Sequence, residues 1–205
     1  QVTVNERFEV QYPERRPFFV ENADFFATDS ILLFTRRIID PEGGLRFTGR
    51  SGPWGVGTML MNDEAPGLNR NATDPLQGEK ATIGVLRVFR DIAGQDRVGF
   101  TLTDRELADG YNLVGSVDGK FRINQNWVTN LEYITTETEP TFGGRTINGD
   151  QRNVRIDRVG RTFNTHLHIV DTDADFRTQL GFQNRYFKSD ISGVHWRSSL
   201  NYYPE

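Results

Sequence analysis

Three histidines, His166, His168 and His195, are the residues in this chain of 205 amino acids whose type and spacing first suggest chemistry. His166 and His168 fall on one face of a strand, and His195 has the same parity in the next one, so a two-plus-one set could ligate a metal. The plainer reading makes them polar side chains bonded to neighbours and water. No metal or other cofactor is therefore assigned. Asp118 and Glu132 share a face on two strands joined by a tight turn. They form the carboxylate pair that a glycoside hydrolase could use, which needs two carboxyls roughly 5 to 10 Å apart. Asp171, Asp173 and Asp175 alternate as in a calcium loop, but the Gly at the sixth position and the distal Glu of an EF-hand are missing, and an acidic loop is expected. With no Cys and no G-x-S-x-G elbow, nucleophilic catalysis has no named actors, and the chain reads as a non-enzyme. Arg15, Arg16, Arg36 and Arg37 have two readings: they tie the N-terminal segment to a wall through Glu14, Glu21 or Asp24, or they line a passage that selects anionic solutes.

The elements that must hold these residues are strands. In Tyr111 to Ile123, Tyr111, Leu113, Gly115, Val117, Gly119, Phe121 and Ile123 fall on one face, with Asn112, Val114, Ser116, Asp118, Lys120 and Arg122 on the other. Trp127 to Thr136 repeats the pattern after a tight loop, as an antiparallel partner would. At about 3.3 Å per residue such a strand reaches roughly 40 Å, which at a tilt near 45° spans the roughly 30 Å of a bilayer's hydrocarbon core. A mean hydropathy of −0.56 and 36% hydrophobic residues look soluble, yet transmembrane β-barrels read the same way because only every second residue need be apolar. No apolar run is long enough for a membrane-spanning helix.

The alternation predicts ten strands, at 31–39, 45–50, 54–62, 81–92, 97–104, 111–123, 127–137, 153–159, 163–171 and 191–203. Their connections alternate in length. Ser51 to Pro53, Ala93 to Asp96, Asn124 to Asn126 and Gly160 to Thr162 are short, whereas Asp63 to Lys80, Arg105 to Gly110, Thr138 to Arg152 and Thr172 to Asp190 are long. An outer-membrane up-and-down barrel has this asymmetry, with short periplasmic turns and long outer loops. Leu45, Phe47, Trp54, Val56, Leu60, Val98, Phe100, Leu102, Leu167, Ile169, Val194 and Trp196 would face lipid. Arg46, Arg50, Asp118, Lys120, Arg122, Glu132, His166, His168 and His195 would face a polar lumen. The strand over 81–92 is irregular: Arg87 shares a face with Ile83, Val85 and Phe89, so either a bulge shifts the register or the strand sits against the lead-in. Residues 1–30 are that lead-in, a periplasmic or plug segment, packed rather than disordered because Phe8, Phe18, Phe19, Phe25 and Phe26 crowd it, and residues 31–205 are the N-terminal portion of the barrel. Twenty-eight acids against 24 bases, with no basic stripe, give no reason to expect nucleic acid. A start at Gln1 reads as a processed or excised piece.

Four segments carry a resemblance: ERRPFFVENADFF (Glu14 to Phe26), LLFTRRI (Leu32 to Ile38), LRFTGRSGPWGVG (Leu45 to Gly57) and DADFRTQLGFQNR (Asp173 to Arg185). In this order they resemble a bacterial outer-membrane β-barrel domain of unknown function that follows a periplasmic domain similar to family 9 carbohydrate-binding modules. The resemblance covers essentially the whole chain. It departs from the family pattern at Asn22, where Gly is usual, and the absence of a terminal aromatic residue suggests the first half of a longer barrel. It implies a bacterial outer-membrane location, lipid as a partner, and a pore, uptake or surface-binding role. Where the carbohydrate-module-like domain is present, it also implies that domain as a partner and saccharides as the solute. A soluble β-sheet carbohydrate-binding module is the alternative, which membrane fractionation would distinguish.

Overall fold

Side chains that alternate along a segment can be sorted into two environments only by an extended backbone. Accordingly the chain, seen in a computed structural model that describes residues 13–92, 94–182 and 190–203, is all-β with almost no helix. The strands are β1 (Pro41–Ser51), β2 (Trp54–Asp63), β3 (Ala81–Asp91), β4 (Arg97–Leu107), β5 (Gly110–Arg122), β6 (Trp127–Glu139), β7 (Ile147–Arg158), β8 (Phe163–Thr172) and β9 (Ile191–Leu200). Each pairs antiparallel with its sequence neighbours in a single up-and-down sheet, β1 through β9, that is open at both edges. The lead-in contributes one short helix, α1 (Pro17–Val20), and two 3-10 turns, Ala23–Phe26 and Thr35–Arg37.

The sheet has an outer and an inner face. On the outer face lie Leu45, Phe47, Leu60, Val117, Val194 and Trp196, all exposed, with Leu45 at 78% and Trp196 at 72%. The inner face is covered over β2 to β7 by the lead-in and by residues 173–182. Phe19, Ile38 and Leu180 pack there on Met59, Met61, Ile83 and Val85. Leu32 and Phe176 pack on Val114 and Ile134. The apolar row Leu113, Val117 and Phe121 is therefore not the core; among its alternates Val114 is in it, with Asn112 and Ser116 buried beside it.

Several expectations need correction. Nine strands are present among the described residues, because 31–39 is not one of them. Its apolar residues reflect burial under the lead-in rather than alternation: Leu32 and Ile38 are enclosed, and the backbone pairs with a loop instead of the sheet, Phe34 N–H donating to Leu180 O (2.7 Å) and Phe182 N–H to Ile31 O (2.9 Å). The lead-in thus runs to Asp40. The connection between β4 and β5 is a tight turn at Ala108 and Asp109, with Ala108 at φ 53°, so the long-loop side includes one short link. The inner face is not polar throughout, since Met59, Met61, Ile83, Val114 and Ile134 are buried on it. Of the alternatives for β3, the second holds: its register with β2 and β4 is unbroken and its mixed face lies beneath the lead-in. Phe8 and residues 183–185 lie outside the described residues.

Candidate functional site

The site with the densest polar chemistry is the seat of the lead-in on the inner face. Its N-terminal end is closed by Arg16. That guanidinium donates to Ile38 O (2.6 Å) and Thr35 O (2.8 Å), stacks on Phe19 at 4.3 Å, and is gripped by Glu14, which also accepts from the Thr35 hydroxyl (2.7 Å). Arg16 first holds the Glu14 carboxyl far below the usual carboxylate range, against the opposing effect of burial and with help from nearby backbone N–H groups and the Thr35 hydroxyl. The clasp joins both ends of the lead-in, from residue 14 to residue 38.

A second attachment reaches the sheet itself. Ser30 N–H donates to Glu132 Oε2 on β6 (2.9 Å), Asn153 Nδ2 on β7 donates to Ser30 Oγ (2.8 Å), and Arg155 pairs with Asp29 (2.5 Å). Glu132 is buried, and its other oxygen, Oε1, has no hydrogen-bond partner. Burial pushes the Asp29 carboxyl up, with Arg155 pulling the other way. The network continues outward through Arg155 to Asp157 (3.2 Å), Asp157 to His166 (2.6 Å), and Asn153 to His168 (3.1 Å).

Beneath the lead-in, Arg87 on β3 reaches over β4 to Asp118 on β5 in a two-pronged ion pair, one prong at 2.9 Å, and donates to Thr101 (2.9 Å). The side chain is 2% exposed. Gly99 makes the crossing possible, because a Cβ there would collide with the guanidinium. Burying an ion pair is tolerable only when its hydrogen bonds are nearly complete, and here Arg87 Nε alone lacks a partner.

The anticipated residues are thus divided among roles. Arg16, Asp118 and Glu132 join the lead-in seat. The Asp118 and Glu132 side chains, cross-strand neighbours, are taken up by Arg87 and by Ser30 respectively. Arg46 donates to Phe18 O and stacks near Phe26, while Arg50 pairs with Asp91 (2.6 Å). Arg15, Glu21, Arg36 and Arg37 are exposed at the lead-in surface, and Lys120 and Arg122 are exposed at the short-turn end. The three histidines do come together, His166 lying 5.4 Å from His195 and 6.3 Å from His168 between ring centroids. Among the described residues no group of three or more His, Cys, Asp or Glu is placed to hold a metal. Asp29, Ser30, Asn153 and Arg155 were not anticipated. Arg87 was marked only by its place on an apolar face. A cavity of about 420 Å³ lies between the lead-in and β1–β2, lined by Phe19, Phe26, Leu32, Arg46 and Met59.

Residues 173–182 also meet the lead-in at this seat. Leu180 is buried against the lead-in, Phe182 stacks on Phe34 at 5.1 Å, and Gly181 lies so close to the Ile31 carbonyl that a Cβ would sit 2.9 Å from it. Asn22 occupies the left-handed region at φ 49°, which Asn adopts more readily than most residues. Comparison with protein-family models, with curated proteins and with solved structures finds no match.

Proposed function

We propose that this chain is part of an outer-membrane β-barrel of Gram-negative type, with the lead-in acting as a plug on the luminal face and a role in pore formation, solute uptake or surface binding. One observation carries the reading: large apolar side chains stand exposed along the middle of the outer face of the sheet, while the inner face holds the ion pairs Arg87–Asp118 and Arg155–Asp29. A water-soluble domain rarely leaves so much contiguous apolar surface bare. Lipid satisfies that surface at no cost, and the strands are long enough to cross a bilayer when tilted. The family resemblance points the same way and adds saccharides as the solute class, with the carbohydrate-module-like domain as the partner within the full protein.

Secretion of the chain into the periplasm of a Gram-negative host tests this. The expected result is recovery in the outer-membrane fraction, resistance to alkaline washing and release by detergent. Recovery in the aqueous periplasmic fraction would overturn the reading and favour the soluble carbohydrate-binding module.

A further inference from the structure

The two rims of the outer face carry opposite charge. At the long-loop rim the outward positions are Asp104, Glu106, Glu137, Glu139, Asp150 and Asp171; Arg152 among them is bound to Asp171 at 3.0 Å, and Lys80 at the same rim is bound to Glu42 and Glu64 at 2.7 Å each. At the short-turn rim the charged groups on or beside the outward face are guanidiniums seated on aromatic rings. Arg90 stands 5.3 Å from the ring of Trp54, its cross-strand partner. Arg158 lies 6.0 Å from Trp127, likewise its partner, and 5.2 Å from Phe163. In the next turn Arg161 lies 5.1 Å from Tyr203. The acids near this rim are otherwise engaged: Asp91 binds Arg50 and Arg97, Asp157 binds His166, and Asp96 accepts the Arg122 backbone N–H.

We propose that the short-turn rim binds the phosphates of anionic phospholipids, each held by a ring-seated guanidinium. An aromatic ring fixes the plane of the guanidinium through its face and does not occupy the in-plane N–H groups, of which Arg158 gives Nη1 to the Phe163 carbonyl, and the fork of the remaining donors matches two oxygens of a phosphate. Trp and Tyr rings settle at the level of lipid headgroups, which brings those donors to the depth of the phosphates. The acidic rim excludes the same lipids. The inference rests on the membrane reading above, in which the short turns lie on the periplasmic side, and it adds a lipid class and the residues that would hold it.

Quenching of tryptophan by brominated lipids tests it. In the full chain carrying Trp127→Phe and Trp196→Phe, Trp54 remains beside Arg90. Reconstituted in phosphatidylcholine vesicles containing a minor fraction of either brominated phosphatidylglycerol or brominated phosphatidylcholine, Trp54 should show an apparent affinity for the anionic lipid about fivefold higher. Arg90→Gln should bring the two lipids level. Raising salt to molar concentration should do so without any change at Arg90, which covers the case in which the substituted chain fails to insert. Equal quenching by both lipids in the chain that keeps Arg90 would overturn the proposal while leaving membrane insertion intact. Quenching by neither lipid would overturn the membrane reading and this inference with it.

Discussion

The two faces of β3 and β6 are built from neighbouring residues and face unlike surroundings. Inward, Arg87 and Ile134 are enclosed by the lead-in and residues 173–182, where a charge must be paired and a void has nothing to fill it. Outward, Arg90 and Leu131 stand exposed at the surface. The difference teaches that stability is carried on the inner face, and that the outer face is set by the medium around it.

The sharpest way to break this contrast is at Arg87. Arg87→Ala strands Asp118 in a partly buried site and should cost about 3–5 kcal/mol, whereas Arg90→Ala should stay within about 0.5 kcal/mol. Urea unfolding of the detergent-refolded chain reads both, and equal losses would erase the distinction. Next is the apolar core. Ile134→Ala should cost about 2–5 kcal/mol in the same assay, with Leu131→Ala far below it. Asn153→Ala removes the donor to Ser30 and the partner of His168, for about 1–3 kcal/mol of local stability. Its signature is local: faster amide exchange at residues 28–31 with the strands unchanged. The smallest effect is that of pH on the clasp. Because Arg16 depresses Glu14 in the folded chain, its contribution is complete above the ordinary Glu value near 4.3 and fades as pH falls toward the depressed one. Asp29, raised by burial, has the opposite sign, its ionisation weakening the fold as pH rises through the raised value. Acid titration of Glu14→Gln should therefore lack the low-pH loss that the unsubstituted chain shows.

Much of the sheet was legible because alternation is a local property. The inward and outward parity of Leu45, Phe100, Glu132 and His166 follows from spacing alone, and the structure keeps it. The segment 31–39 misled because Leu32 and Ile38 are buried by long-range packing, which looks like strand composition without strand pairing. The turn at Ala108 was hidden because a left-handed Ala has no compositional mark. Of the lead-in seat, Arg87 was visible as an anomaly, but its pairing with Asp118 depends on a crossing over β4 that only the register and Gly99 define. Asp29 and Ser30 sit in a turn where no periodicity points, and their partners lie more than a hundred residues away.

An odd number of strands, each reversed relative to the last, leaves the margins β1 and β9 heading the same way. Zipped directly to one another they would need a parallel ladder at that seam, unlike every other junction in the sheet. Sealing this wall with antiparallel junctions alone takes one additional strand, or three, or five, and the free amides along both margins are the places where such strands would start to knit.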